Sequence, residues 1–215
     1  MDLGLTEKVI LVTGGASGIG AGITRALHEE GAIPIIVGRN AAKAEQLLSE
    51  LGKGHSIVRE LGTVESCREV AQEALQLYGR LDGLVNNAGV NDGVGLEKGS
   101  PDRFLESLVI NLHHYYHLTH FVLDALKASK GSIVNMSSKT ALTGQGGTSA
   151  YAAAKGAQLA LTREWAVELL PYGIRVNAII PAEVMTPLYR SWLDSFDDPH
   201  AKQRTIEAKI PLQQR

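Results

Sequence analysis

Residues 8–20 read KVILVTGGASGIG and decide the fold of the chain. The apolar, β-branched run KVILV predicts a buried strand, which breaks into a glycine-rich turn and then an amphipathic helix. Gly14 permits a tight turn, and Gly18 and Gly20 let the backbone and the helix approach a ligand closely. A strand, a glycine turn and a helix in this order predict a dinucleotide pyrophosphate site. The G-x-x-x-G-x-G spacing differs from G-x-G-x-x-G, so an ordinary tight loop is the alternative.

Strand-like and helix-like segments alternate along the rest of the chain. This alternation predicts a doubly wound parallel β-sheet with helices on both faces, a Rossmann-like α/β fold in one domain over residues 1–215. Ligands are then expected at the carboxyl ends of the strands. Strands are predicted at Lys8–Val12, Ile33–Val37, Ser56–Arg59, Gly83–Val85, Ser132–Asn135 and Arg175–Ile179, and helices at Gly18–Glu30, Ala41–Leu51, Val64–Tyr78, Asp102–Lys127 and Tyr151–Leu170.

Tyr151-Ala-Ala-Ala-Lys155 lies in an alanine-rich segment that predicts a helix. The i, i+4 spacing places the phenol and the ammonium on one helix face. A cation within about 4–6 Å favours a phenolate, so Lys155 is expected to lower the pKa of Tyr151 from about 10. Ser138 is expected to hold an alcohol or carbonyl oxygen while Tyr151 moves the proton. The alternative is a surface tyrosine beside a solvated lysine.

Five motifs occur in an order that resembles a known family. They are TGGASGIG at residues 13–20, NNAG at residues 86–89, Asn111, Ser138 and Tyr151-x-x-x-Lys155. This combination is similar to the short-chain dehydrogenase/reductase family. The resemblance implies an NAD(P)-dependent enzyme that interconverts an alcohol and a carbonyl, with Asn111, Ser138, Tyr151 and Lys155 as catalytic residues. It also implies a homo-oligomer, either a tetramer or a dimer.

The resemblance further implies which residues bind the cofactor. Asn86 and Ala88 are expected to border the adenine ribose, and Thr186 is expected to meet the nicotinamide amide. The full predicted cofactor site consists of Gly14, Ser17, Gly18, Ile19, Gly20, Arg39, Asn40, Glu60, Asn87, Ala88, Gly89, Tyr151, Lys155, Pro181, Val184 and Thr186.

The choice of cofactor depends on the end of the second predicted strand, which reads Ile36-Val37-Gly38-Arg39-Asn40. An acidic residue there favours NAD, whereas an arginine accommodates the 2′-phosphate of NADP. Arg39 therefore predicts NADP, and NAD is the alternative if Arg39 instead stacks on the adenine. Glu60 stands where members of the family place an aspartate that meets the adenine amino group.

The loops that are expected to face the substrate carry polar side chains. Asn91, Lys139, Gln145 and Glu183 predict a pocket that hydrogen-bonds the hydroxyls of a sugar or polyol, although each can instead be a solvated loop position. Segments such as LDGLVNNAGVNDGVGL also resemble bacterial L-fucose dehydrogenases. This resemblance implies oxidation of L-fucose or a related aldose to its lactone. The alternatives are a ketoreductase, a hydroxysteroid or 3-oxoacyl-type dehydrogenase, and a non-catalytic nucleotide-binding relative.

Composition bears on the remaining classes of function. The 215 residues carry a formal net charge of −2, which favours neither a nucleic-acid nor a membrane partner. The single cysteine, Cys67, suits a cytoplasmic location, and the N-terminus shows no signal-peptide pattern. No metal is expected, because His113, His117 and His120 would share a helix face without a carboxylate or cysteine.

The chain ends at Pro211-Leu212-Gln213-Gln214-Arg215, earlier than members of the family usually do. We therefore expect the last helix and the final strand of the family fold to be missing. An uncovered sheet edge would follow.

Overall fold

The computed structural model describes residues 1–210. Its strands are β1 (Val9–Thr13), β2 (Ile33–Gly38), β3 (His55–Val58), β4 (Gly83–Asn86), β5 (Ser132–Met136) and β6 (Arg175–Ile179). These six strands form one parallel sheet with the order β3-β2-β1-β4-β5-β6, within the range that the structure describes. The chain reverses its direction of winding between β1 and β4, as in a doubly wound sheet. The predicted Rossmann-like α/β fold is confirmed.

The helices of the described residues connect or follow these strands. They are α1 (Gly18–Glu29), α2 (Ala41–Leu51), α3 (Val64–Tyr78), α4 (Pro101–Leu108), α5 (His114–Ser129), α6 (Ser149–Glu168), α7 (Pro187–Leu193) and α8 (Pro199–Glu207). The single helix predicted at Asp102–Lys127 is wrong, because a π-helical turn at Val109–His113 separates α4 from α5. α7 and α8 lie outside the predicted helices. Each begins with a proline behind a capping side chain.

The sheet is buried between two layers of helices. The larger core cluster packs α3, α5 and α6 against one face and includes Leu11, Leu84 and Ile133. On the other face, α1 packs against Ile10 and Val12 of β1. Because both faces are covered, all five residues of β1 are buried. Burial on both faces explains why this strand reads as a continuous apolar run.

The carboxyl ends of the strands bring most of the predicted site residues to one edge of the sheet. The glycine turn follows β1, and Arg39 follows β2. The stretch 87–89 follows β4, and Ser138 follows β5. Residues 181–186 follow β6 and lead into α7. The parallel sheet therefore assembles the site from five separate loops, as this fold class does for its ligands.

The outer strand β6 is covered less completely than β1. Arg175, Asn177 and Ile179 are exposed on the face of the sheet that packs against α1 elsewhere. The expectation about the end of the chain concerns Pro211–Arg215, which lie outside the described residues. Within residues 1–210, no helix is long and apolar enough to cross a membrane.

Candidate active site

The turn after β1 is tied to the two neighbouring strands. The Gly14 N–H donates to the Val37 carbonyl oxygen at 2.7 Å. The Thr13 hydroxyl oxygen accepts hydrogen bonds from the backbone N–H groups of Asn87 and Ala88, both at 2.9 Å. A Cβ atom on Gly20 would lie 2.1 Å from the Gly14 carbonyl oxygen. α1 can therefore begin directly against the turn only because Gly20 has no side chain.

A cleft of about 770 Å³ opens beside the first turns of α1. The predicted cofactor residues that line it are Ser17, Gly18, Ile19, Pro181, Val184 and Thr186. A Cβ atom on Gly18, which has φ 54°, would lie 3.4 Å from the Thr186 side chain. The start of a helix directs backbone N–H groups at an anion, and the glycines leave room for it. This cradle fits the pyrophosphate of a dinucleotide.

Arg39 and Glu60 form an ion pair beyond the ends of β2 and β3. Arg39 Nη1 lies 3.2 Å from Glu60 Oε1, and the two side chains are 76% and 69% exposed. The structure thus brings these two predicted cofactor residues together. Asn40 instead caps α2, because its Oδ1 accepts a hydrogen bond from the Lys43 N–H at 2.9 Å. Lys43 also lines the cleft, a position that the sequence reasoning missed.

The expectation that Asn86 borders the adenine ribose stays a prediction, and it concerns the Asn86 backbone rather than its side chain. The Asn86 side chain is fully buried, and its Nδ2 donates to Asn135 Oδ1 at 3.0 Å and to Thr119 Oγ1 at 3.2 Å. Its position as the last residue of β4 turns it towards α5, away from the edge of the sheet. Asn87 instead faces the glycine turn, where its Nδ2 donates to the Thr13 carbonyl oxygen at 2.9 Å.

Ser138, Tyr151 and Lys155 come together where β5 meets α6. Lys155 is 3% exposed, and its Nζ donates to the Met136 carbonyl oxygen at 2.7 Å. The same Nζ lies 5.5 Å from the centroid of the Tyr151 ring. Ser138 starts a 3₁₀ turn, and its side chain interacts with Tyr151. The structure therefore places a hydroxyl, a phenol and an ammonium within one small volume, and their catalytic roles stay a prediction.

The expected lowering of the Tyr151 pKa is wrong for this structure. Burial raises the pKa of Tyr151, and the hydrogen bond with Ser138 offsets only part of this effect. Burial also lowers the pKa of Lys155 to about 7. Near neutral pH the lysine is therefore charged for only part of the time. The i, i+4 spacing gave the correct proximity of the two groups but not the cost of burying them.

Asn111 lies inside the π-helical turn between α4 and α5 and is fully buried. Its Oδ1 accepts a hydrogen bond from the Val90 N–H at 2.8 Å, and its Nδ2 donates to the Ser107 carbonyl oxygen at 3.0 Å. Its own carbonyl oxygen accepts from Gln158 Nε2 at 2.6 Å. π-helical turns inside α-helices are frequent at functional sites. Gln158, one turn after Lys155, is a residue that the sequence reasoning missed.

Gly89 explains how the loop after β4 approaches these groups. A Cβ atom on Gly89 would lie 2.9 Å from Asn111 Oδ1 and 3.7 Å from Lys155 Nζ. A larger residue would therefore push the loop away from Asn111. Glycine lets this loop lie close to both Asn111 and Lys155.

The predicted substrate residues behave in two different ways. Lys139 Nζ and Glu183 Oε1 form a close ion pair, with side chains that are 39% and 15% exposed. The Lys139 N–H also donates to the Pro181 carbonyl oxygen at 3.0 Å, so two contacts join the loops after β5 and β6. Asn91 and Gln145 are exposed, and Asn91 Oδ1 accepts from the Gly93 N–H at 3.2 Å.

The histidines of α5 and the preceding turn form ring contacts. The rings of His113 and His117 are 5.9 Å apart, and His120 stacks on Tyr116 at 6.2 Å. Over residues 1–210, no group of three or more histidine, cysteine or carboxylate side chains is arranged to hold a metal ion.

Comparison with known proteins agrees with this geometry. A family model for short chain dehydrogenases matches residues 8–195. The L-fucose dehydrogenase of Bos taurus is 37% identical over 206 residues, which cover 95% of this chain and 76% of that protein. The 3-oxoacyl-acyl-carrier-protein reductase FabG of Thermotoga maritima is 33% identical over 213 residues, which cover 97% of this chain and 84% of that protein.

Solved dehydrogenase structures are also similar to this chain. The crystal structure of Cj0485 dehydrogenase superimposes with a TM-score of 0.94 at 42% identity, and the match covers 99% of this chain and 82% of that one. Sequence and structure thus agree over nearly the whole chain. The chain belongs to the short-chain dehydrogenase/reductase family and is an NAD(P)-dependent dehydrogenase that acts on CH–OH groups.

Proposed function

We propose that the chain oxidises L-fucose or a related aldose at the anomeric carbon and produces the lactone, with NADP as cofactor. The observation that carries this proposal is the Ser138–Tyr151–Lys155 group beside the Lys139–Glu183 ion pair. The first group moves a proton, and the second offers a charged donor and a charged acceptor to sugar hydroxyls. The L-fucose dehydrogenase of Bos taurus, 37% identical, supports this substrate class. One domain would then carry both the cofactor site and the substrate site.

The proposed chemistry divides between a proton and a hydride. Ser138 donates a hydrogen bond to the anomeric oxygen, and Tyr151 accepts its proton as the carbonyl forms. In its charged form Lys155 favours the phenolate of Tyr151 and so works against the burial that raises the Tyr151 pKa. The glycine turn and Thr186 would hold the oxidised nicotinamide cofactor, which would supply the hydride acceptor for this oxidation. Asn111 holds the loop at Val90 and so keeps the opposite wall of the site in place.

The proposed cofactor preference depends on the Arg39–Glu60 pair. Both side chains are exposed, so this pair stabilises the empty site by only about 0–1 kcal/mol. A phosphate offers Arg39 a doubly charged partner with bidentate geometry. The 2′-phosphate of NADP therefore competes well with Glu60 for the guanidinium. Lys43, four residues after Arg39 and lining the cofactor cleft, adds a second positive charge.

The test is a substrate screen with the purified chain that follows the absorbance of the reduced cofactor. L-Fucose and related aldoses are compared with steroids and ketoesters, each with NADP and with NAD. Turnover of an aldose at the highest kcat/KM, with NADP ahead of NAD, is the expected result. If no aldose is oxidised while an apolar ketone is reduced, the sugar proposal is wrong.

A ketoreductase for acyl or other lipid-like carbonyls is the second candidate. Leu142, Val184 and Met185 are exposed apolar side chains in the segments that follow β5 and β6, and Leu188 at the start of α7 is a fourth. Such side chains suit an apolar substrate better than a sugar. The FabG protein of Thermotoga maritima, 33% identical, supports this candidate. The same screen separates the two candidates.

We also propose a homo-oligomer, either a tetramer or a dimer, in the cytoplasm. Leu105 on α4, Val167 on α6 and Leu170 just beyond it are large apolar side chains that are more than half exposed. Apolar exposure on neighbouring helices is typical of a subunit interface. Light scattering coupled to size-exclusion chromatography gives the mass, and a monomer at micromolar concentration would contradict the proposal.

A further inference from the structure

The ammonium of Lys155 lies between two tyrosine rings. Its Nζ is 5.5 Å from the ring centroids of both Tyr151 and Tyr115. Tyr151 is on the same helix as Lys155, whereas Tyr115 is on α5 and is fully buried. The proposed chemistry uses Tyr151 and leaves Tyr115 without a role. A buried phenol beside a buried ammonium is the strongest unassigned feature of the site.

The hydrogen bonds around Lys155 involve Tyr115 directly. Lys155 Nζ donates to the Met136 carbonyl oxygen at 2.7 Å and to the Tyr115 hydroxyl oxygen at 3.5 Å. The Tyr115 hydroxyl in turn donates to the same Met136 carbonyl oxygen at 3.0 Å. An ammonium has three N–H donors. Two of them are therefore directed into the protein, and one remains for the cofactor and substrate side.

We propose that Tyr115 is a positioning residue for Lys155. The Tyr115 hydroxyl oxygen and the Met136 carbonyl oxygen together hold the ammonium of Lys155 beside Tyr151 and keep it charged. This inference rests on the proposed oxidoreductase chemistry but not on the identity of the substrate. Tyr115 itself touches neither substrate nor cofactor. It acts only through Lys155.

The titratable groups that face Lys155 supply no negative charge near neutral pH. They are Tyr151 on α6 and His114 and Tyr115 on α5, while β5 contributes the Met136 carbonyl. Burial lowers the pKa of Lys155 to about 7 and the pKa of His114 to about 4, so His114 is neutral near pH 7. Burial raises the pKa of Tyr115 well above its ordinary value. Tyr115 therefore stays a neutral hydroxyl that can accept a hydrogen bond from the ammonium.

The test replaces Tyr115 by phenylalanine, which removes one oxygen and keeps the ring that fills the core. Tyr116→Phe is the matched control, because Tyr116 is the next residue on α5, is exposed and stacks on His120. Lysine labelled with ¹³C at Cε reports the protonation of each lysine by NMR, and Lys155→Met assigns the Lys155 signal. The Lys155 pKa is expected to fall by about 0.5–1 unit in Tyr115→Phe and to stay unchanged in Tyr116→Phe.

Turnover gives the second readout on any alcohol that the wild type oxidises. A fall of the Lys155 pKa from about 7 by this amount reduces the charged fraction at pH 7 roughly two- to fivefold. We expect kcat at pH 7 to fall by the same factor and the rise of kcat with pH to level off at a lower pH, because Lys155 loses its charge earlier. Tyr116→Phe should overlay the wild type.

The outcomes separate this inference from the proposed function. The positioning role is overturned if Tyr115→Phe leaves the Lys155 pKa and the pH profile unchanged. It is also overturned if Tyr115→Phe does not fold, because the hydroxyl would then stabilise the core rather than position the lysine. A shifted Lys155 pKa without sugar turnover in the wild type would support the positioning role and contradict only the sugar substrate.

Discussion

Replacing Gly20 by alanine tests whether the glycine turn is the cradle of the cofactor. Gly20 lies in the first turn of α1, directly against the Gly14 peptide and the Asn87 amide. Gly22 lies two residues further along the same helix and provides the matched control. No described atom other than its chain neighbours and its own helix lies within 4 Å of a Cβ placed on Gly22.

The structure sets the size of the effect. A Cβ on Gly20 would lie 2.1 Å from the Gly14 carbonyl oxygen and 2.6 Å from Asn87 Nδ2. Non-bonded atoms rest about 3.5 Å apart, so the turn has to move by roughly 1 Å. Such overpacking costs about 1–3 kcal/mol, and alanine returns about 1 kcal/mol of helix propensity at either position. Gly20→Ala should thus be about 1–3 kcal/mol less stable than Gly22→Ala.

Two measurements check this prediction. Urea unfolding gives the free energy of unfolding of both variants and of the wild type, and fluorescence titration of the reduced cofactor gives the dissociation constants. Displacement of the Gly14 peptide is expected to weaken cofactor binding tenfold or more, which corresponds to about 1.4 kcal/mol. Gly22 also lines the cleft, but a Cβ there meets open space, so Gly22→Ala should bind the cofactor like the wild type. If Gly20→Ala also does so, the turn does not cradle the cofactor.

Four other substitutions and one pH profile test the rest of the site and fold. Tyr151→Phe should keep cofactor binding and lose about 10²–10⁴-fold in kcat, measured by steady-state kinetics, because the proton carrier is gone. Because burial raises the Tyr151 pKa and lowers the Lys155 pKa to about 7, oxidation should speed up as pH rises from 5 to 7 and then level off, since each further gain of phenolate is offset by loss of the lysine charge. Arg39→Asp should shift the ratio of kcat/KM values from NADP towards NAD by more than about 1 kcal/mol. Glu60→Gln releases Arg39 from its ion pair and should shift the ratio towards NADP. If both variants keep the same ratio, Arg39 does not bind the 2′-phosphate. Burial alone would raise the pKa of Asp82, but hydrogen bonds from Arg80, the Val9 N–H and Lys8 outweigh it and lower this pKa. The contribution of Asp82 to stability is therefore present above the unfolded pKa of about 3.9. It is lost as pH falls through the lower folded value. Asp82→Asn should therefore reduce the free energy of unfolding by about 1–3 kcal/mol at pH 7 and by much less at pH 2, as measured by urea unfolding at both values.

The sequence was sufficient for the sheet because its signals are local. KVILV is apolar without interruption, and burial on both faces of a parallel sheet demands that pattern. Gly52 and Gly79 directly follow α2 and α3, and both adopt the left-handed C-cap conformation that glycine favours. Each of these features depends on a few consecutive residues. No tertiary information was needed to find them.

The errors arise where tertiary contacts outweigh local preference. The π-helical turn at Val109–His113 looks like ordinary helix in sequence, and it forms where Asn111 bonds the Val90 N–H from another loop. The pKa of Tyr151 depends on how much water the fold excludes, which spacing does not encode.

The Lys139–Glu183 pair changes the argument for sugar selectivity. From sequence alone, a sugar analogue that lacks one hydroxyl leaves a polar pocket residue without its hydrogen-bond partner. This predicts a loss of about 1–3 kcal/mol for that analogue. In the structure Lys139 and Glu183 already bind each other, so a missing sugar hydroxyl leaves a satisfied pair. The loss then falls to the net value of one exchanged hydrogen bond, about 0.5–1.5 kcal/mol. Stronger selectivity has to come from how a sugar places its anomeric carbon relative to Ser138 and Tyr151. The preferred aldose should therefore stand out in kcat more than in KM, because misplacement costs the transition state and not the ground state.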